Sequence, residues 1–470
     1  MKNSVLCKLL GEGVSVKKAN EGMLRGPLLK NIITYTIPII LTSVIQLLFN
    51  AADLVIVGRY CGSVSVAAVG ATGAITNLIV NLFIGLSVGA GVGVAHALGG
   101  GDDDIAHRTV HTAMPAALVG GGALTVIGIL LAKPLLQLMG TPAEVLDLAS
   151  VYMQIYFAGM VFTMVYNFCA SILRAAGDSK SPLIFLSLAG VINVALNVVF
   201  VTVIDMNVAG VALATIISQA VSAVLVVIAM MRRTDACKFY WSKMRFYKAE
   251  MLKIVRIGLP AGIQGSLFSI SNVLIQSSIN SFGPVFMSGN ASAGNIEGFV
   301  YVMLNAFHQT AINFIGQNVG ANQYKRVKKI LWSCLGCVVV VGIVSGGLVY
   351  LFGEPLLSIY ITDSTEAIGY GMVRLGYICL PYFLCGLMDV STAALRGMGS
   401  SLAPMVISIL GVCGIRVFWI MSVFQVPMFH TPECLYLSYI VSWTITFLMQ
   451  MGAFVMLYKR VTAHLPKELK

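Results

Sequence analysis

Twelve apolar stretches divide this chain, near residues 31–57, 64–98, 107–132, 147–173, 182–204, 208–231, 252–280, 286–318, 328–352, 367–395, 401–425 and 434–458. Each is about as long as the ~20 residues a helix needs to cross a bilayer. In hydrocarbon, backbone polar groups must be bonded inside the protein, so runs like these fold as helices. The predicted class is an all-α membrane protein of twelve transmembrane helices. Composition agrees, with 58% of residues hydrophobic and only 10% charged, against ~25% charged in soluble domains.

The net charge of +11 does not point to nucleic acid, because the basic residues gather in particular loops. The connections near 100–108, 174–181, 232–256, 320–329 and 396–400, with both tails, hold nearly all the Lys and Arg. The opposite loops hold Arg59 and Lys133 beside Glu144, Asp147, Asp205, Glu354, Asp363, Glu366 and Glu433. Positive loops stay inside, so both termini are expected to be cytoplasmic. Residues 1–30 read as a basic cytoplasmic tail without a secretory signal, and 461–470 as a second tail. Residues 232–251 interleave Phe239, Tyr240, Trp241, Phe246 and Tyr247 with Lys238, Lys243, Arg245 and Lys248. That mixture predicts a surface helix lying among the cytoplasmic headgroups.

The chain repeats itself. At an offset of 222, Pro38 matches Pro260, Asn50 matches Asn272, Arg174 matches Arg396, Gly177 matches Gly399 and Pro182 matches Pro404. At 221, Gly73 matches Gly294, Gly99 matches Gly320 and Pro134 matches Pro355. Six spans per repeat return the chain to its starting side, so both halves share one topology. The expected plan is an N-lobe over 31–231 and a C-lobe over 252–460, two six-helix bundles related by a pseudo-two-fold along the membrane normal.

Polar groups inside spans are expensive and mark function or pairing. In the first span Gln46, Asn50 and Asp53 are spaced by four and three, which puts them on one helical face. That face should meet a protein interior or a wet cavity. Two further acids lie within spans, Glu297 in the eighth and Asp389 in the tenth, as do Arg374 and Arg416. By depth, Glu297 is expected to pair with Arg416. Asp389, seven residues before Arg396, is expected to pair with it on one face. Asn193 and Asn197 sit one turn apart in the fifth span. Taken alone they read as interhelical glue, and His308 in the eighth as a satisfied interior histidine lining a cleft.

Other patterns carry less. Gly85, Gly89 and Gly93 form a small-residue stripe that lets helices approach closely. The Gly-Gly-Gly-Asp-Asp-Asp run from Gly99 reads as a helix cap, a tight turn and acids at the next helix start. His107 and His111 lack a third ligand or an HExxH frame, and Cys334-x-x-Cys337 reads as apolar packing. No order of Ser, His and Asp and no phosphate loop suggests an enzyme.

Four motifs together resemble the multidrug and toxic compound extrusion (MATE) family. They are Pro38, Gln46, Asn50 and Asp53 in the first span, Leu98-Gly-Gly-Gly-Asp102, Gly316-Gln-Asn-Val-Gly-Ala-Asn322, and the paired Leu-Arg-x-x-Gly-x-x-x-x-Pro motifs from Leu173 and Leu395. The resemblance spans about residues 30–460. It implies a cation-coupled antiporter, driven by H⁺ or Na⁺ and needing no other cofactor. Such a protein exports cationic or amphipathic compounds by alternating access from the plasma membrane of a prokaryote, as a monomer. It implies a coupling site at Asp53, Asn193 and Thr215, with Asn197 where the family usually has an aspartate, and a bend at Pro38. The substrate cleft would draw on Gln46, Asn50, Asn272, Glu297, His308, Asp389 and Arg416. The alternative is a flippase for a lipid-linked oligosaccharide or peptidoglycan precursor. Its cleft should carry several cations for a pyrophosphate, and only Arg374 and Arg416 are available here.

Overall fold

The computed structural model describes residues 22–361 and 364–463. Most of both expected tails, and Asp363, therefore lie outside the described residues. The rest is a succession of helices. We label them α1 (Leu28–Tyr60), α2 (Ser63–Gly100), α3 (Asp103–Leu138), α4 (Ala143–Ala158 and Met160–Ala175), α5 (Lys180–Val198), α6 (Asn207–Arg232), α7 (Lys248–Asn280), α8 (Pro284–Gly320), α9 (Tyr324–Leu351), α10 (Thr365–Arg374 and Tyr382–Gly397), α11 (Leu402–Ser408 and Ile415–Met421) and α12 (Pro432–Thr462). Eight spans are long and apolar enough to cross a membrane alone, and α4 and α10 qualify as spans bent by 48° and 41°. The remaining two, α7 and α8, run 33 and 37 residues but interleave Ser, Asn and Gln with their apolar positions. The twelve expected helices are all present.

Three of them contain a π-helical turn, at Val199–Val203 after α5, at Leu375–Cys379 within α10 and at Ile409–Gly414 within α11. A π turn inserts one residue into the helical ladder and recurs at functional sites. Elsewhere the chain obeys ordinary capping chemistry. Gly101 ends α2 in the left-handed region at φ 71°, and the Asp102 side chain accepts from Ile105 N at 3.0 Å to start α3.

By packing, the chain forms two units. One holds Ile37–Ile263, and the other holds Pro27–Thr36 with the residues from Gln264 onward. The first turns of α1 therefore pack with the second unit, and the first half of α7 with the first. Each repeat exchanges the start of its leading helix. In the second unit, Thr36 and Thr310 share a hydroxyl hydrogen bond of 2.8 Å, and Asn313 Nδ2 donates to Tyr35 Oη at 3.0 Å.

In the first unit, α2 and the first half of α7 cross backbone to backbone. A methyl on Gly85 would overlap the Gly262 backbone, and one on Gly89 the Ile254 carbonyl. One on Gly258 would meet the Leu86 Cα at 2.5 Å. The stripe read in α2 thus meets a matching Gly258-x-x-x-Gly262 in α7, the close contact that small residues permit in lipid. Around this crossing the core is dense, with Leu124, Leu136, Phe157 and Met164 fully buried. Large apolar side chains such as Leu130 and Val191 instead face outward, 69% and 63% exposed, as a lipid-facing surface requires.

The connection between α6 and α7 departs from the expected surface helix. It makes a turn closed by Lys238 N donating to the Asp235 carbonyl at 3.0 Å, then one 3-10 turn at Trp241–Lys243, and it docks on α3. Its basic and aromatic residues are split. Cys237 and Phe239 are buried, whereas Trp241 and Phe246 are exposed. The docking site is His111, whose Nδ1 lies 2.8 Å from the His107 carbonyl while Nε2 lies 3.1 Å from Tyr240 N. The carbonyl can only accept and the amide can only donate. That makes the Nδ1–H tautomer the one that satisfies both. These histidines are a structural clamp for the connection.

Candidate functional site

The polar groups of the first unit meet where α1, α5 and α6 pack. Asn193 and Asn197 lie one turn apart, so both project from the buried face of α5. Asn197 Nδ2 donates to Asp53 Oδ1 of α1 and, at 3.2 Å, to Asn193 Oδ1. Asn193 Nδ2 in turn donates to Thr215 Oγ1 of α6 at 3.4 Å, and that hydroxyl donates to the Val211 carbonyl at 2.9 Å. Hydrogen bonds thus join the four residues that the resemblance groups together, in the order Asp53–Asn197–Asn193–Thr215. The π turn at Val199–Val203 begins two residues beyond Asn197.

The network leaves one acceptor unused. Asn197 Oδ1 is buried without a hydrogen-bond partner. A buried polar atom in this state carries a desolvation penalty of about 1–3 kcal/mol. With the Asp53 carboxylate, Asn193 Oδ1 and Thr215 Oγ1 it makes an oxygen-only donor set. Among the described residues no group of three or more His, Cys, Asp or Glu is placed to hold a metal ion. One carboxylate among neutral oxygens suits a hard monovalent cation or a proton better than zinc. Gln46 and Asn50, on the same turn pattern as Asp53, are exposed, and so is Asn272 of α7.

The second unit overturns two expected pairs. Glu297 meets Arg374, not Arg416. Arg374 Nε and Nη2 lie 3.0 and 2.9 Å from Glu297 Oε2, and Nη1 donates to Asn290 Oδ1. Tyr436 Oη reaches the same Asn290 oxygen at 2.9 Å. Asn290 lies two helical turns before Glu297 on one face of α8, so spacing alone could have flagged it. Arg374 closes the first segment of α10 immediately before the π turn, and from there its side chain reaches Glu297.

The second correction concerns Asp389. No ion pair joins it to Arg396, whose Nη2 donates to Gln264 Oε1 at 2.8 Å. The Asp389 carbonyl instead receives the His308 Nδ1–H at 2.7 Å, so His308 is a satisfied interior histidine. Arg416 is left with Ser442, to whose Oγ its Nε donates at 3.0 Å.

Two stretches, 38–199 and 260–420, match the MatE family, one in each repeat. The chain belongs to the MatE family. Among curated relatives, it is 27% identical over 391 residues to the probable multidrug resistance protein YoeA of Bacillus subtilis, covering 82% of this chain and 84% of that one. It is 24% identical over 356 residues to a FAD transporter of Shewanella oneidensis, covering 74% and 77%. The structure of a MOP superfamily transporter from Pyrococcus furiosus superposes with a TM-score of 0.88 at 20% identity, over 95% of this chain and 99% of that one. This MatE protein is thus a multi-pass membrane protein with the fold of solved transporters.

Proposed function

We propose that this MatE protein is a cation-coupled antiporter that exports amphipathic small molecules, drugs among them, across a prokaryotic plasma membrane, with both termini cytoplasmic. H⁺ or Na⁺ binds at Asp53 with Asn193, Asn197 and Thr215. Ion and cargo bind antagonistically, and that coupling free energy drives export against the cargo gradient. The observation that carries this reading is the buried, unsatisfied Asn197 Oδ1 on the side chain whose Nδ2 donates to the Asp53 carboxylate. An incoming cation would satisfy both.

The flippase reading is weaker. With Arg374 committed to Glu297, Arg416 is the one guanidinium left of the two that reading relies on, too few for a pyrophosphate clamp. The multidrug name of the Bacillus relative supports export of small molecules. The test is efflux of a cationic dye from proteoliposomes under a pH gradient and, separately, a sodium gradient. Efflux driven by one gradient and abolished in Asp53→Asn, with the variant still monodisperse, is the expected result. Efflux by that variant at the wild-type rate would overturn the reading.

A further inference from the structure

The corrected pairing of Glu297 leaves a buried guanidinium to explain. Arg416 is 4% exposed, and no carboxylate lies within ion-pairing distance of it among the described residues. Its titratable neighbours are Tyr439, Cys385, Cys413 and Tyr382, none of them a carboxylate. Nε is used by Ser442. Neither Nη1 nor Nη2 has a hydrogen-bond partner among the described residues, yet neither is among the side-chain nitrogens sealed from solvent-sized space. A buried charge of this kind is costly unless something pairs with it.

The surroundings specify what that something is. The guanidinium carbon lies 4.0 Å from the Tyr439 ring centre and 5.8 Å from that of Trp443. Trp443 also packs against Tyr382 at 5.3 Å and Tyr439 at 5.6 Å. Two free terminal nitrogens in one plane match the two oxygens of a carboxylate or phosphate, and the aromatic wall suits a planar ring attached to it. Arg416 lies two residues beyond the end of the π turn at Ile409–Gly414.

The internal repeat adds an independent line. At the 222-residue offset, Asp53 falls on Ile275 and Asn193 on Ile415, next to Arg416. The second unit therefore lacks the acid at the corresponding place and carries a fixed positive charge there. We propose that Arg416, with Tyr439, Ser442 and Trp443, forms an oxyanion subsite in the second unit that takes the carboxylate or phosphate of an aromatic amphipathic solute. Its role as a cargo subsite rests on the export reading; the binding itself does not, so the test measures binding at equilibrium and leaves transport aside.

The full chain in an uncharged detergent is titrated with 2-naphthoate, its methyl ester and 2-naphthyl phosphate, followed by calorimetry and by tryptophan quenching. The wild-type chain is expected to bind the two anions at least about tenfold more tightly than the ester, with the quench lost in Trp443→Phe. Arg416→Gln should remove that preference, while Lys133→Gln, which deletes an exposed cation, keeps it. Displacement of naphthyl phosphate by added phosphatidylglycerol assigns the occupant to a lipid phosphate and its absence to a free solute; both keep the oxyanion site. Equal affinity of the wild-type chain for 2-naphthoate and its ester overturns the proposal without recourse to any variant. Unchanged preference in a folded Arg416→Gln overturns it as well.

Discussion

Nε and Nη2 of Arg374 converge on a single oxygen of Glu297, at 3.0 and 2.9 Å, while Nη1 is taken by Asn290. The pair joins α8 to α10, and Tyr436 brings in α12 through the same Asn290 oxygen. Three helices of the second unit are thus pinned by one guanidinium.

Removing half of such a pair leaves an uncompensated buried charge, which costs about 3–5 kcal/mol. Glu297→Leu should lower the thermal midpoint of the purified protein markedly. The double variant Glu297→Leu with Arg374→Met should recover most of that loss, read in the same detergent melt. A double variant no more stable than the single would show that the charge pair is not what holds these helices.

Asn197→Ala removes both the amide that holds Asp53 and the unsatisfied oxygen beside it. Efflux in proteoliposomes should fall about tenfold or more, the effect of losing a charge-assisted contact of about 1.5–3 kcal/mol. The melt should fall as well, because both Nδ2 hydrogen bonds go with the side chain and leave Asp53 Oδ1 and Asn193 Oδ1 without that donor, so efflux is compared at a temperature where the variant is still folded. Wild-type efflux by this variant would remove Asn197 from the proposed site.

Gly89→Ala places a methyl against the Ile254 carbonyl. Overpacking of this kind costs about 1–3 kcal/mol, and a lower thermal midpoint is expected. Gly70→Ala lies in the same helix with nothing within 4 Å of the new methyl. It should be neutral or slightly stabilising, because alanine is the better helix former. The contrast between the two separates backbone contact from helix propensity.

Burial, with a smaller push from the Asp235 carboxylate, raises the Cys237 thiol to about 12. The thiolate is the reactive form, so its population at neutral pH is small and grows only as pH climbs toward that value. In a background with the other cysteines replaced, maleimide labelling of Cys237 at neutral pH should be at least about tenfold slower than that of a free thiol. It should become rapid once the protein is unfolded. Fast labelling of the native protein would mean that the connection between α6 and α7 does not stay docked.

Much of this was legible beforehand. A carboxylate in an apolar run has to find partners, which is why Asp53 stood out, and the i, i+4 asparagines of α5 were visible as one face. The twelve helices followed from run length alone. Pairing across the second unit was less accessible. Helical depth is counted by assuming a uniform rise, and a π turn adds a residue without altering composition. Arg374 and Arg416 each lie within two residues of such a turn, so ranking them by depth sent Glu297 to the wrong one. The docking of the connection on His111 was missed for another reason. Its aromatic and basic residues suit a headgroup layer equally well, and nothing in their order says that Phe239 turns inward. Gly258 and Gly262, by contrast, repeat the spacing already noticed in α2 and could have been matched to it.

The exchange of leading segments means that neither α1 nor α7 belongs wholly to one body. Each is a continuous rod whose two ends answer to different masses. Pro38 and Pro260 stand within a turn of the two handovers, and proline deletes a rung of the hydrogen-bond ladder where it stands. Each repeat thus opens on a helix whose ladder already lacks a rung beside the point where its packing passes from one unit to the other.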